Sequence, residues 1–140
     1  MVSKDCLEWL RFAKMDINAA EQLYTQQHNP RHRPIEIILY HCQQGAEKSL
    51  KAFMVQNGKF PPKIHELQEL RIICKQWNGD FENIRLINHC AFLDPFGVII
   101  RYPEHKMSLD SSQAARGLNS SKRIYNFVCV RLGVEKLYYI

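Results

Sequence analysis

Residues 40–53 read YHCQQGAEKSLKAF, and within them Gln43, Glu47 and Lys51 recur every fourth position. On a helix that spacing sets an amide, a carboxylate and an ammonium in one line. Glu47 precedes Lys51 in the orientation that favours a helix ion pair, yet an exposed pair contributes only about 0.3 to 0.5 kcal/mol. Stability alone hardly explains it. A phosphate could compete with Glu47 for the lysine, which makes the pair a candidate anion receiver. On the adjoining face Gly45, Ala46, Ser49 and Ala52 are small. A second helix backbone could approach there and leave Gln44 and Lys48 at the seam, an arrangement that suits an interface.

Other clusters could carry chemistry. His28, Arg31, His32 and Arg33 fall within six residues and offer fork-like donors to phosphate, although basic loops are more often simply solvated. The dipeptides His41-Cys42 and His89-Cys90 invite a metal reading, but zinc sites usually show closer ligand pairs such as CxxC or HxxxH. Cys42 and Cys90 are explained as small core hydrophobes, and no metal or cofactor is expected. His65 reads as a residue near a helix N-terminus bonded to a neighbour. No serine elbow, Walker loop or GxGxxG is present.

The elements that must position these groups are helical. Leu10, Ala13, Ile17, Ala20 and Tyr24 recur at three and four, with Ser3 as N-cap, and predict a first helix. The stretch HNPRHRP from His28 to Pro34 is a loop, because its prolines remove backbone donors. Ile35, Ile38, Cys42, Ala46, Leu50 and Phe53 form one stripe of a long second helix that ends at Asn57-Gly58. After Pro61-Pro62, Leu67, Leu70, Cys74 and Trp77 give a shorter third helix, stopped by Asn78-Gly79.

Ile84, Ile87 and Ala91 line a fourth helix, after which Asp94-Pro95 either kinks it or opens a new turn. Asp110 to Ser112 cap a fifth, with the stripe Ala114, Leu118, Ser121, Tyr125, Val128 and Leu132 closed by Gly133. Val98-Ile99-Ile100 is too short to build a sheet around. The expected fold is all-α, an up-and-down antiparallel bundle of about five helices.

In this order the motifs resemble a known family. QQGAEKSLKAF, followed by Pro61-Pro62 and His65-Glu66-Leu67, resembles the signature of the HEPN family of nucleotide-binding domains. Trp9, Ala13, Asp16 and Ala20 are similar to that family's first-helix pattern, and Arg101-Tyr102-Pro103 to its RYP element. Gly45 stands where the family usually has alanine, and Phe96-Gly97 where paired tyrosines are common. Both departures are expected to loosen local packing. The resemblance implies a dimerising helical bundle that often acts beside a small nucleotidyltransferase, in antibiotic-modifying or toxin–antitoxin-like pairs.

The nuclease branch of that family carries Arg, four to six intervening residues, then His. Arg85 to His89 and Arg101 to His105 each have three intervening residues, so neither fits. On a helix that spacing still brings the two side chains together. A ribonuclease using Arg101 and His105 is therefore the alternative reading, and a purely structural dimerisation domain the third. The leading one is a non-catalytic module. It would bind a nucleotide, RNA or a nucleotide-bearing partner through Gln44, Glu47, Lys48, Lys51, Arg101 and Tyr102, and pair with a second copy of itself.

Composition agrees with that class. A length of 140 residues suits one domain, 1–140, and 46% hydrophobic against 24% charged residues can support a core. The net charge of +5 favours anionic partners, although no run of five basic residues marks a dedicated nucleic-acid tail. Five scattered cysteines without a CxxC read as reduced thiols. No apolar run approaches the roughly 20 residues of a membrane span, and residues 1–6 lack a signal-peptide build, so a cytoplasmic protein without membrane contact is expected.

Overall fold

The computed structural model describes residues 1–98 and 109–135, and every regular element among them is helical. The α-helices are α1 (Lys4–Gln26), α2 (Ile35–Gln56), α3 (Leu67–Lys75), α4 (Ile84–Leu93) and α5 (Ser111–Leu132), with short 3-10 turns between them. The expected all-α bundle of five helices forms. Among the described residues no helix is long and apolar enough to cross a membrane.

The ends follow from capping chemistry. Ser3 Oγ accepts from the Cys6 amide at 3.1 Å, and Asp110 forms a reciprocal box with Gln113 at the start of α5. At the end of α2, Gly58 takes φ +81°, and Lys59 N–H reaches Met54 O at 3.0 Å, satisfying one of the last carbonyls. The HNPRHRP loop serves the fold, because Arg33 Nε donates to Tyr24 O and Gln27 O at 2.9 and 3.0 Å. Its guanidinium also lies 4.1 Å from the Tyr24 ring centroid, so it closes the C-terminus of α1.

Packing centres on α2, which touches each of the other four helices. Its apolar stripe Ile35, Ile38, Cys42, Ala46, Leu50 and Phe53 is buried as expected. Phe53 continues into an aromatic stack with Phe81 and Phe127, with centroids 4.6 and 5.1 Å apart. Gly45, Ala46, Ser49 and Ala52 are buried too, so the small face of α2 is filled from within the chain. An added Cβ on Gly45 would lie 2.6 Å from Ile17 Cγ1 and 3.2 Å from both Ala13 O and Ser121 Oγ. That face is a seam with α1 and α5, not an open interface, and glycine tightens it instead of loosening it.

Side-chain contacts give the directions. Ser3 N–H meets Gln56 Oε1 at 2.8 Å, so the start of α1 lies beside the end of α2 and the two run antiparallel. Ser111 Oγ donates to Pro30 O at 3.2 Å, which with Lys122 to Glu21 at 2.6 Å sets α5 antiparallel to α1, and Ser121 Oγ to Cys42 O at 2.7 Å holds it alongside α2. Between α2 and α3 the chain turns back: Gln43 Nε2 donates to His65 O at 2.9 Å, beside the middle of α2. Pro61-Pro62 favours the extended backbone that such a return needs. Consequently α3 sets out in the same general direction as α2.

One sequence expectation changes, and one open alternative is decided. In α4 the buried residues are Leu86, Cys90 and Leu93, while Ile84 and Ala91 are exposed. Both sets satisfy a helical period, and a ten-residue helix is too short for the sequence to separate them. Asp94 opens the Asp94–Gly97 turn, and its carboxylate accepts from the Leu67 and Gln68 amides, capping α3 from 27 and 26 residues away. Burial raises the Asp94 pKa, opposed by those two amide bonds.

Substituting Gly45→Ala should destabilise the fold by about 1 to 2 kcal/mol, because crowding against Ile17 outweighs a helix-propensity gain of up to about 1 kcal/mol. Urea denaturation measures this. The double variant Ile17→Ala/Gly45→Ala should lose less than the sum of the single losses.

Candidate functional site

The polar face of α2 carries two carboxylate centres. Asp16, from α1, accepts from Lys48 Nζ at 2.5 Å through Oδ2 and meets His41 Nδ1 at 2.9 Å through Oδ1. Glu47 meets Lys51 Nζ at 3.1 Å through Oε2 and His65 Nδ1 at 3.2 Å through Oε1. Each acid therefore holds one lysine and one histidine. Beside Glu47, the fully buried Gln43 receives the Gln44 amide at 2.8 Å while donating to His65 O.

Burial separates the two centres. The side chains of Lys51 and Glu47 are only 7% and 6% exposed, so the pair is internal and not the exposed pair that its spacing first implies. A phosphate cannot reach Lys51 without opening that packing. Lys48 is 28% exposed and His41 30%, and both stand with Gln44 on the narrow strip of α2 that meets solvent. Of the predicted ligand residues, Lys48 and Gln44 are accessible, Glu47 and Lys51 are buried, and Arg101, Tyr102 and His105 lie outside the described residues.

Next to Lys48 is a groove of about 720 Å³ between α1 and the chain just after α2. Trp9, Phe12, Phe60 and Pro61 line it, with Lys48 and Lys59 as its ammonium groups. Phe60 is 91% exposed, an unusual state for a phenylalanine with a concave wall beside it. Asp5 and Glu8 also line the groove, and Glu8 is already paired with Arg11 at 2.7 Å.

Among the described residues no group of three or more His, Cys, Asp or Glu side chains could hold a metal ion. His41 engages Asp16, His89 engages Ser120 Oγ at 2.9 Å, and burial pushes the Cys90 thiol up to about 12 and the Cys42 thiol higher still. All five cysteines are free and buried.

The HEPN domain family model matches residues 6–135. The chain belongs to the HEPN domain family. It is also similar to the crystal structure of TT1696 from Thermus thermophilus, with a TM-score of 0.73 at 18% identity over 90% of this chain and 97% of that one, which shows a shared fold. No curated protein matches it in sequence.

Within this HEPN chain the separated motif pieces interlock. Asp16 of the first-helix pattern grips Lys48 of the AEK block, Ala13 O lies over Gly45, and Trp9 walls the groove at Lys48. Gly97, the second departure, is also tightly packed, since a Cβ there would lie 2.9 Å from Gln43 Cδ. Sequence reasoning missed the partners His41 and His65 and the ring of Phe60. Asp16 and His65 carried a signal in their places in the family pattern, but nothing local paired Asp16 with His41 or His65 with Glu47.

Lys51→Met should cost about 3 to 5 kcal/mol in urea denaturation, because it leaves the buried Glu47 charge without its ammonium. Glu47→Gln/Lys51→Met should recover a large part of that loss. If Lys51→Met were neutral, the pair would not be internal.

Proposed function

We propose that this chain is a non-catalytic HEPN module that binds a nucleotide, or a partner presenting one, in the groove beside Lys48. The observation that carries this reading is the meeting of exposed aromatic surface with two ammonium groups in one concavity. Aromatic faces accept bases regardless of their identity, and ammonium groups accept phosphate. The volume falls within the several hundred Å³ usual for small-molecule sites. Asp16 holds Lys48 in place, and an incoming phosphate would compete for it. Arg101 and Tyr102 join the proposal on the family pattern alone. A small nucleotidyltransferase is the partner class that the family suggests, in an antibiotic-modifying or toxin–antitoxin-like pair. The absent Arg-x4–6-His spacing favours binding over ribonuclease activity.

ATP titrated into the protein by calorimetry should bind saturably, and Lys48→Ala should weaken it about tenfold or more, since a charge-assisted contact contributes about 1.5 to 3 kcal/mol. Phe60→Ala should weaken it as well. Variants that keep their circular dichroism and bind as tightly as wild type would remove the groove from the reading.

Self-association has its own support. The small face of α2 is occupied internally, so the proposed homodimer moves to the outer face of α1, where Leu7 and Met15 are 48% and 52% exposed. The Glu8–Arg11 pair lies among them and can be exchanged between two copies. Light scattering at micromolar concentration should give a dimer mass, as expected of a standard interface of about 800 Å² per partner, and Leu7→Glu/Met15→Glu should give a monomer. A monomeric wild type would count against this face.

A further inference from the structure

A second concavity, of about 250 Å³, lies between α4 and α5, away from the Lys48 groove. Arg85 and His89 of α4 and Arg123 and Arg131 of α5 all line it, and no carboxylate does. Arg85 has no acidic partner among the described residues. Arg123 bonds a neutral amide, Asn119 Oδ1, at 3.2 Å. Arg131 lies 3.6 Å from the Phe127 ring centroid and meets Asp80, a largely exposed acid, at 3.3 Å. The cations here outnumber the acids that could balance them.

Like charges gathered in one cleft repel one another, and a bound anion relieves that repulsion. The field is already felt by His89, whose pKa is lowered by burial first and then by Arg123 and Arg116. Ser120 Oγ holds Nδ1 of that ring at 2.9 Å. In the tautomer where the hydroxyl donates, Nε2–H is a neutral donor for a ligand. Leu86, Phe127 and Val130 add apolar wall, which strengthens charge-assisted bonds by excluding water.

Size narrows the ligand. The cleft is smaller than the roughly 300 Å³ at which whole small-molecule sites begin, so it suits a phosphate or pyrophosphate group with the remainder of the molecule projecting outward. Guanidinium forks match that geometry, binding two oxygens at a time. We propose that the α4/α5 cleft is a separate site for a pyrophosphate-sized anion, gripped by Arg85, Arg123 and Arg131 with His89 as a neutral donor. It is independent of the groove at Lys48.

The test is a titration of the whole chain with sodium pyrophosphate at low salt, followed by calorimetry and by the ring signals of His89 in NMR. Saturable binding that shifts His89 is expected. Arg85→Ala/Arg123→Ala, both exposed positions, should lower the affinity read from the His89 shift at least tenfold, while Lys63→Ala, an exposed cation that lines neither concavity, leaves it unchanged. Circular dichroism checks each fold, and Arg85→Glu alone serves if the double variant is disturbed. Three results would overturn the site: no saturable shift of His89 up to millimolar pyrophosphate, undiminished binding by the folded variants, or equal loss in Lys63→Ala, the mark of a general charge effect.

Discussion

The backbone of α1 rests directly on Gly45 of α2, and both the site and the packing around it depend on that approach. With Ala13 O only 3.2 Å from where a Cβ would stand, α1 lies close enough for Asp16 to reach both His41 and Lys48. The same closeness sets Trp9 near Lys48 as groove wall, and Ser121 of α5 packs against the same glycine. A larger residue would crowd Ile17 in the apolar core and push α1 outward, lengthening the Asp16 contacts as well.

The two carboxylate centres have the same chemical make-up but different physical roles. Around Glu47 the low exposure removes solvent screening, so the lysine is bound tightly and the pair ties α2 to the returning chain at His65. Around Asp16 water reaches both Lys48 and His41, which keeps their contacts exchangeable. Similar residues thus yield a fixed joint in one place and an available ammonium in the other. The α4/α5 cleft differs from both, since its cations face one another without an internal acid.

Much of the fold was legible because its signals are local. Ser3, the Asp110 and Gln113 box, Gly58 and Gly133 mark helix ends through bonds within a few residues, and the stripe from Ile35 to Phe53 fixes the inner side of α2. The features that escaped are non-local. The burial of Glu47 and Lys51 depends on segments packed over a face that the sequence shows only as polar. The phase of α4 was ambiguous because Ile84, Ile87 and Ala91 compete with Leu86, Cys90 and Leu93 for the same core. Of the candidate site, the choice of Gln44 and Lys48 came from helical spacing, whereas the groove needed Phe60, far from both on the chain, to be placed beside α1.

The Asp94 cap bears on the order in which the chain can assemble. At nine residues α3 is too short to persist in water by itself, and a helix of that length leans on whatever satisfies its first amides. Here that acceptor arrives from beyond α4, and Gln68 Nε2 adds a bond to Ile87 O at 2.9 Å. The stretch from 67 to 94 therefore behaves as one cooperative unit: α3 gains its first turn only when the end of α4 has already come home, and the two helices open together or not at all.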